Sequence, residues 1–334
     1  MANAKDEFSR PGGTASRRAL PPEALDRAQG ALVGQFCGDA LGSLVEFMSP
    51  ERIAGLYPDG VRRILAGGVW GTLAGQPTDD SEMALGLARD LAARGTYSPE
   101  GALQAYKAWF ASSPFDCGNT VASALRGKLM PESQANGAMM RASPLGVAAA
   151  GLPLETAADW AARDAGLTHP NPVTVQANSL YVMAIAYAVE RGPSPRELYG
   201  RVVDWAREAE VEPTLMEAVK AASGAKPESY VQKSGWVLIA FRNALFRLVN
   251  SLSFEDAVSG TAAEGGDADT NAAICGALLG AVHGLKAVPD QWIRSVLCCF
   301  PREAPGTLRP RPRAYWPGDA LYLAGRLAGI DLAP

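Results

Sequence analysis

The chain lacks most of the residues that build zinc sites and disulfide frameworks. Its 334 residues include only five cysteines and two histidines. It has no CxxC pair and no HExxH motif, so the sequence offers no familiar zinc site. Only Cys298 and Cys299 are adjacent, and scattered cysteines are typical of proteins in a reducing compartment. We therefore expect a cytoplasmic protein.

Long apolar segments and strong net charge are also missing. The longest apolar stretch, 272–285, is shorter than a membrane span and contains His283. The N-terminus lacks the apolar core of a signal peptide. A net charge of −4 and a pI of about 5.4 argue against a dedicated nucleic-acid binder. The sequence predicts neither a membrane nor a nucleic acid as partner.

Helical periodicity fills most of the chain, whereas alternating strand patterns are scarce. Residues 1–22 are polar and end in Pro21-Pro22, which predicts a flexible N-terminal extension. The hydrophobic content of 48% is ample for a buried core. We therefore predict one all-α domain over 23–334. Its expected helices are 23–47, 81–94, 99–111, 120–129, 154–165, 172–190, 195–208, 235–249, 254–263, 269–285 and 317–327.

Four glycines recur at every fourth position of the first predicted helix, at Gly30, Gly34, Gly38 and Gly42. Residues four apart share a helix face, so these glycines form a smooth ridge that another backbone could approach closely. Polar residues within the same helix exclude a membrane dimer. The ridge predicts tight helix packing in the core of the protein.

Two short segments are dense in oxygen ligands, Thr78-Asp79-Asp80-Ser81 and 266–271, which reads Gly-Asp-Ala-Asp-Thr-Asn. Each stands directly before an apolar helical stretch. Hydroxyl and carboxylate oxygens are the ligands that hard divalent cations such as magnesium prefer. The two segments are predicted to be two halves of one metal site.

Ordinary helix capping is the alternative, because Asp and Thr are common N-cap residues. A second carboxylate and a hydroxyl exceed what a cap uses, and neighbouring like charges repel unless a cation neutralises them. A calcium EF-hand is excluded, because its sixth and twelfth positions would be Ala272 and Leu278 instead of glycine and glutamate.

Together with these segments, three further motifs resemble the ADP-ribosylglycohydrolase family. The first is 34–42 (GQFCGDALG) with Glu46, and the second is 136–141 (NGAMMR) with 144–146. The third is 265–271 (GGDADTN), and 316–321 is similar to the family's closing helix. The motifs are in the family's order and run from about residue 28 to the C-terminus.

The resemblance implies an all-α domain with two magnesium ions, in some members manganese, at the base of a cleft for ADP-ribose. The positions that match the family's metal ligands are Thr78, Asp79, Asp80, Asp267, Asp269 and Thr270. Asp80 and Asp269 are therefore also expected to be essential for catalysis.

Two more carboxylates match positions that the family uses for catalysis. Glu46 corresponds to a glutamate that contacts the substrate ribose or acts as a base. Asp116 corresponds to an aspartate of members that act on ADP-ribosyl-arginine, where a carboxylate can hydrogen-bond a guanidinium. An N-cap of the helix predicted from Thr120 is the alternative role of Asp116.

The resemblance also implies a set of residues that line the ADP-ribose cleft. The segment around Asn136 offers backbone amides that could wrap a diphosphate. Trp236 could equally be a core residue, as large aromatic side chains usually are. The predicted cleft residues are Ser133, Asn136, Gly137, Met139, His169, Gly235 and Trp236.

The predicted function is magnesium-dependent removal of ADP-ribose from arginine side chains of modified proteins. One alternative is a hydrolase for serine-linked or O-acetyl ADP-ribose. Another is an immunity protein that occludes the active site of an ADP-ribosyltransferase toxin with the extension at 1–22, because some members of the family act in this way.

Overall fold

The computed structural model describes residues 17–330, which form an all-α fold, as predicted. Two isolated antiparallel bridges, Gly67–Thr72 and Ala135–Trp236, are the only β pairing within this range. No helix between residues 17 and 330 is both long and apolar enough to cross a bilayer. The α-helices are α1 Ala24–Gly42, α2 Pro50–Leu56, α3 Asp79–Arg94, α4 Pro99–Ala111, α5 Asn119–Leu125, α6 Ser143–Ala149, α7 Leu154–Gly166, α8 Pro172–Arg191, α9 Pro195–Glu208, α10 Pro213–Ala221, α11 Val237–Asn250, α12 Phe254–Ala262, α13 Ala268–His283, α14 Asp290–Leu297 and α15 Ala320–Ala328, with 3-10 turns at Leu285–Ala287, Arg313–Tyr315 and Pro317–Asp319.

Most predicted helices are present, and the differences have local causes. Helices α2, α6, α10 and α14, of seven to nine residues each, were not predicted. The first helix ends at Gly42 and not at residue 47. Beyond it the chain turns, and Phe47 takes a left-handed backbone conformation with φ of 62°.

The glycine ridge of α1 packs directly against the backbone of α13. A Cβ atom on Gly34 would lie 2.4 Å from the carbonyl oxygen of Gly276, and one on Gly38 would lie 2.1 Å from that of Ala272. The predicted close approach of a second backbone is therefore present. Because Gly42 meets Ala268 and Asp269 in the same way, the end of α1 lies beside the start of α13.

Part of the predicted N-terminal extension lies against the helical domain. The Arg17 guanidinium donates to the carbonyl oxygens of Leu327, at 2.9 Å, and Ala148. Arg18 forms an ion pair with Glu190 at 2.9 Å. Residues 1–16 lie outside the described residues, and a flexible extension there stays a prediction.

Candidate active site

The two predicted metal-binding segments stand at the N-termini of α3 and α13. Thr78 is the N-cap residue of α3, and Asp267 is the N-cap residue of α13. Neither side chain makes a capping hydrogen bond to its own helix. Asp79 and Asp269, the residues for which capping was the alternative, lie inside the first turns of α3 and α13, so neither is the N-cap.

Asp39 of α1 takes over the capping of α3. Its carboxylate accepts hydrogen bonds from the backbone N–H groups of Thr78, at 3.1 Å, and Ser81, at 3.2 Å. The Thr78 hydroxyl lies 2.9 Å from oxygens of both Asp39 and Asp80. Asp39 is fully buried, and burial raises its pKa to about 7. The sequence analysis did not include Asp39 among the site residues, although its position among buried glycines and alanines was a signal.

The acidic side chains from four parts of the chain converge on one place. Carboxylate oxygens of Glu46, Asp116 and Asp269 all lie within 4.8 Å of one another. Burial and the charges of neighbouring carboxylates raise the pKa of Asp269 and of Asp80 well above the usual value. One oxygen of Asp80 is buried without a hydrogen-bond partner among residues 17–330. A buried cluster of this kind fits a divalent cation, which neutralises the mutual repulsion.

Glu46 reaches the cluster because the chain turns after α1. Trp70 donates a hydrogen bond of 2.7 Å from its indole N–H to Glu46. Burial, and after it the charge of Asp116, raises the pKa of Glu46 to about 8. The inward orientation of Glu46 is therefore set by Trp70, which lies in the short turn between the bridged residues Gly67 and Thr72.

Asp116 lies in the loop between α4 and α5 and is half-buried in the cleft wall. The N-cap of α5 is Gly118, so the alternative role of Asp116 as a cap is wrong. The backbone N–H of Gly118 donates instead to Asp79 at 3.3 Å, which ties the loop to the start of α3. Burial raises the pKa of Asp116 to about 6.

The cluster forms the floor of a cleft of about 420 Å³. The side-chain amide of Asn136 donates to the carboxylate of Asp267 at 2.7 Å, and its backbone N–H donates to the carbonyl oxygen of Gly235 at 2.8 Å. Thr78 and Asp80 are buried beneath this floor. The predicted site residues that line the cleft are Glu46, Asp79, Asp116, Asn136, Gly137, His169, Gly235, Asp267, Asp269 and Thr270.

Three predicted cleft residues do not line it. Met139 is buried in the core, and its neighbour Met140 faces the cleft, because consecutive residues of a helical turn point in different directions. The Ser133 hydroxyl lies 2.8 Å from that of Thr120, which does line the cleft. Trp236 donates to Gln134 at 2.8 Å and packs, partly buried, against the hydrophobic core.

Phe47 is a cleft residue that the sequence analysis did not identify. It lines the cleft next to Glu46 with 63% of its surface exposed. Its left-handed conformation is held by a 2.7 Å hydrogen bond from its backbone N–H to the carbonyl oxygen of Gly266. Strained positions of this type occur at functional sites more often than elsewhere. No pattern in the sequence predicts the left-handed backbone of a phenylalanine.

His169 lines the cleft, and its contact with Thr168 leads us to expect the proton of the neutral ring on Nε2. Arg141 can only donate, and it donates to the Thr168 hydroxyl at 2.9 Å. We expect that hydroxyl to donate its one hydrogen to Nδ1 of His169, 2.7 Å away. The proton of the neutral ring is then on Nε2, which is buried and has no partner in the described part of the chain. With that tautomer, His169 offers the cleft a hydrogen-bond donor.

We expect His169 to stay neutral with its proton on Nε2 from pH 5 to 8. Burial, and after it the charge of Arg141, lowers its pKa to about 3. As the pH falls below about 6.5, the unfolded chain gains a proton at His169 that the folded chain does not, so the free energy of unfolding falls. ¹⁵N-labelled histidine spectra would identify the tautomer, and an imidazolium signal of His169 at pH 6 would contradict it.

Comparison with known proteins shows which family the chain belongs to. A sequence model described as ADP-ribosylglycohydrolase matches residues 20–305. The chain belongs to the ADP-ribosylglycohydrolase family. The resemblance given by the sequence motifs is thereby confirmed, and the chain is a glycohydrolase of ADP-ribosylated substrates.

Two relatives are similar to this chain over most of their length. The ADP-ribosyl-[dinitrogen reductase] glycohydrolase of Rhodospirillum rubrum is 33% identical over 81% of this chain and 90% of that protein. The ADP-ribosylarginine hydrolase Tri1 of Pseudomonas putida is 28% identical over 83% of this chain and 76% of that protein. A solved structure titled ADP-ribosylglycohydrolase-related protein complex has a TM-score of 0.76 and 27% identity, and the match covers 93% of this chain and 100% of that one.

Proposed function

We propose that this ADP-ribosylglycohydrolase uses magnesium to remove ADP-ribose from arginine side chains of proteins. The observation that carries the proposal is the convergence of Asp116 with Glu46 and Asp269 on the floor of the cleft. A relative named ADP-ribosylarginine hydrolase supports the arginine linkage. A guanidinium leaving group needs a carboxylate partner beside the scissile bond, and we assign that role to Asp116, which lines the cleft.

The donor set suits a hard cation such as magnesium, because it consists of hydroxyl and carboxylate oxygens at two helix ends, and we assign two ions to it. Bound there, the ions would orient the ribose hydroxyls and make water more acidic. Glu46 and Asp116 lie close enough to Asp269 to belong to the same charged centre. The residues that would hold the ions are Thr78, Asp79, Asp80, Asp267, Asp269 and Thr270.

The other steps of the proposed reaction are assigned to side chains of the cleft. Cleavage of an N-glycosidic bond builds positive charge on the sugar, which the buried carboxylates stabilise. The raised pKa values of Asp116 and Glu46, about 6 and about 8, allow these groups to hold or accept a proton near neutral pH. Asp116 would donate to the departing guanidine nitrogen, and Glu46 would contact the ribose. The Nε2–H of His169 would orient an oxygen of ADP-ribose.

We expect the Asp116→Asn variant to lose arginine specificity. The amide cannot accept a guanidinium hydrogen bond with the same charge or deliver a proton, so release of ADP-ribose from an arginine-modified protein should fall by roughly a hundredfold or more. A parallel assay with serine-linked and O-acetyl ADP-ribose measures the linkage preference of the wild type and the variant. Glu132→Gln, at an exposed position, is the matched carboxylate control. Wild-type preference for serine-linked or O-acetyl substrate would contradict the arginine proposal.

The toxin-occlusion alternative depends on the N-terminal extension. Because Arg17 and Arg18 bind the helical domain, a truncation that tests occlusion without disturbing the fold has to stop at residue 16. Residues 1–16 lie outside the described part of the chain, and no contact between residues 17 and 330 favours occlusion over hydrolysis.

A further inference from the structure

Arg311 is a buried arginine whose entire hydrogen-bonding capacity is used. It is only 6% exposed, and it lies beyond residues 20–305, where the family match ends. Two nitrogens bind the Glu82 carboxylate, each at 2.7 Å. The other contacts are with the carbonyl oxygens of Ser112 and Ser113, at 2.9 and 3.3 Å, and with the Ser112 hydroxyl, at 2.8 Å. These five contacts match the five N–H donors of a guanidinium.

The partners of Arg311 connect the acidic start of α3 to the loop that carries Asp116. Glu82 belongs to the first turn of α3, together with Asp79. Ser112 and Ser113 open the loop 112–118, and Gly118 at its far end donates to Asp79. Both ends of the loop are thus bound to the same helical turn, the first through Arg311 and the second directly.

The backbone at the start of this loop is strained, so it needs contacts that hold it in place. Ser113 has a φ of 54°, a left-handed conformation that is unfavourable for residues other than glycine. Such a conformation persists only where the surroundings hold it. The two carbonyl groups bound by Arg311 are those of this residue and its predecessor.

We propose that Arg311 is a positioning residue that holds the loop 112–118 so that Asp116 faces the carboxylate cluster. The proposal rests on the proposed function, because it assigns Asp116 its place beside the leaving group. The clamp requires the planar fork of arginine, which binds the carboxylate with two nitrogens and still has donors for both carbonyl groups. Lysine retains the charge and cannot make all five contacts.

The test compares the wild type with Arg311→Lys by hydrogen exchange and kinetics. We expect backbone amides of residues 112–118 to exchange faster by about tenfold or more, with α1 and α13 unchanged. The kcat for an arginine-linked substrate should fall by about tenfold, because a small displacement of a catalytic group is costly. Affinity for free ADP-ribose should stay within about twofold, since Arg311 does not touch the cleft.

Two further variants keep the test decisive. Arg62→Lys alters an exposed arginine that also binds two carboxylates, those of Glu255 and Asp256, and should leave all three readouts unchanged. Ser112→Ala removes one of the five contacts, retains the ion pair, and should change exchange and kcat in the same direction as Arg311→Lys by a smaller factor.

Unchanged exchange of residues 112–118 in Arg311→Lys would overturn the proposal. The proposal would also be overturned if Arg311→Lys lost both its affinity for ADP-ribose and the protection of backbone amides from hydrogen exchange across the whole domain. Arg311 would then support the fold in general. The exchange measurement does not depend on catalysis. If the wild type releases no ADP-ribose from arginine, the proposed function fails, and the exchange result still decides whether Arg311 holds the loop.

Discussion

Replacing Asp80 or Asp269 by alanine is expected to abolish ADP-ribose release, with a loss of about a thousandfold or more. Both side chains are buried at the helix ends that form the cleft floor. Each substitution removes a charged oxygen ligand from the centre that stabilises the positive charge of the reacting sugar. Release of free ADP-ribose from an arginine-modified protein in magnesium, measured by chromatography, checks this prediction.

A second readout separates loss of the metal from loss of the fold. Magnesium should raise the melting temperature of the wild type, since a ligand at a hundred times its Kd adds about 2.7 kcal/mol to stability. Asp80→Ala and Asp269→Ala should lose most of this increase. The control is Asp90→Ala, on the same helix as Asp80, where the carboxylate pairs with Arg94 at 2.8 Å. Full activity of both cluster variants would refute the site assignment.

The second large effect is expected at the contact between α1 and α13. A Cβ atom on Gly38 would lie 2.1 Å from the carbonyl oxygen of Ala272 and 2.8 Å from the backbone nitrogen of Ala273. Backbone atoms cannot move aside as a side chain can, so the two helices would have to separate. We expect Gly38→Ala to lower the free energy of unfolding by about 3 kcal/mol or more. Urea unfolding measures this change.

The matched control is expected to change the free energy of unfolding in the opposite direction. Gly200 lies inside α9, and a Cβ atom there would meet nothing within 4 Å. Gly200→Ala should therefore raise the free energy of unfolding by up to about 1 kcal/mol, through helix propensity alone. Equal stability of Gly38→Ala and Gly200→Ala would show that the glycine ridge is not needed for the packing of α1 on α13.

Local patterns were sufficient to predict the longer helices and the positions of the two acidic segments. α4 and α9 have the predicted bounds, because each begins with a Ser-Pro pair that marks a helix start. The short helices α2, α6, α10 and α14 escaped prediction, since their identity depends on what they pack against.

Site residues that belong to a sequence motif could be predicted. Residues that join the site only through a long-range contact could not. Glu46 and Asp116 were identified from family positions, and the structure brings them together with Asp269. Trp70, which binds Glu46, gave no signal in the sequence, because the hydrogen bond joins residues on separate loops. The exclusion of Trp236 and Met139 from the cleft likewise depends on side-chain directions that a motif does not specify.

The amino-acid sequence by itself determined the all-α class, the family and the acidic residues, because periodicity and short motifs are local properties of the chain. Only the tertiary structure decided that Asp39 caps α3, that Trp70 orients Glu46 and that Arg311 clamps the loop of Asp116. Each of these contacts joins residues far apart in sequence. Burial, which raises the pKa of Glu46, Asp116 and Asp269, exists only once the helices have packed.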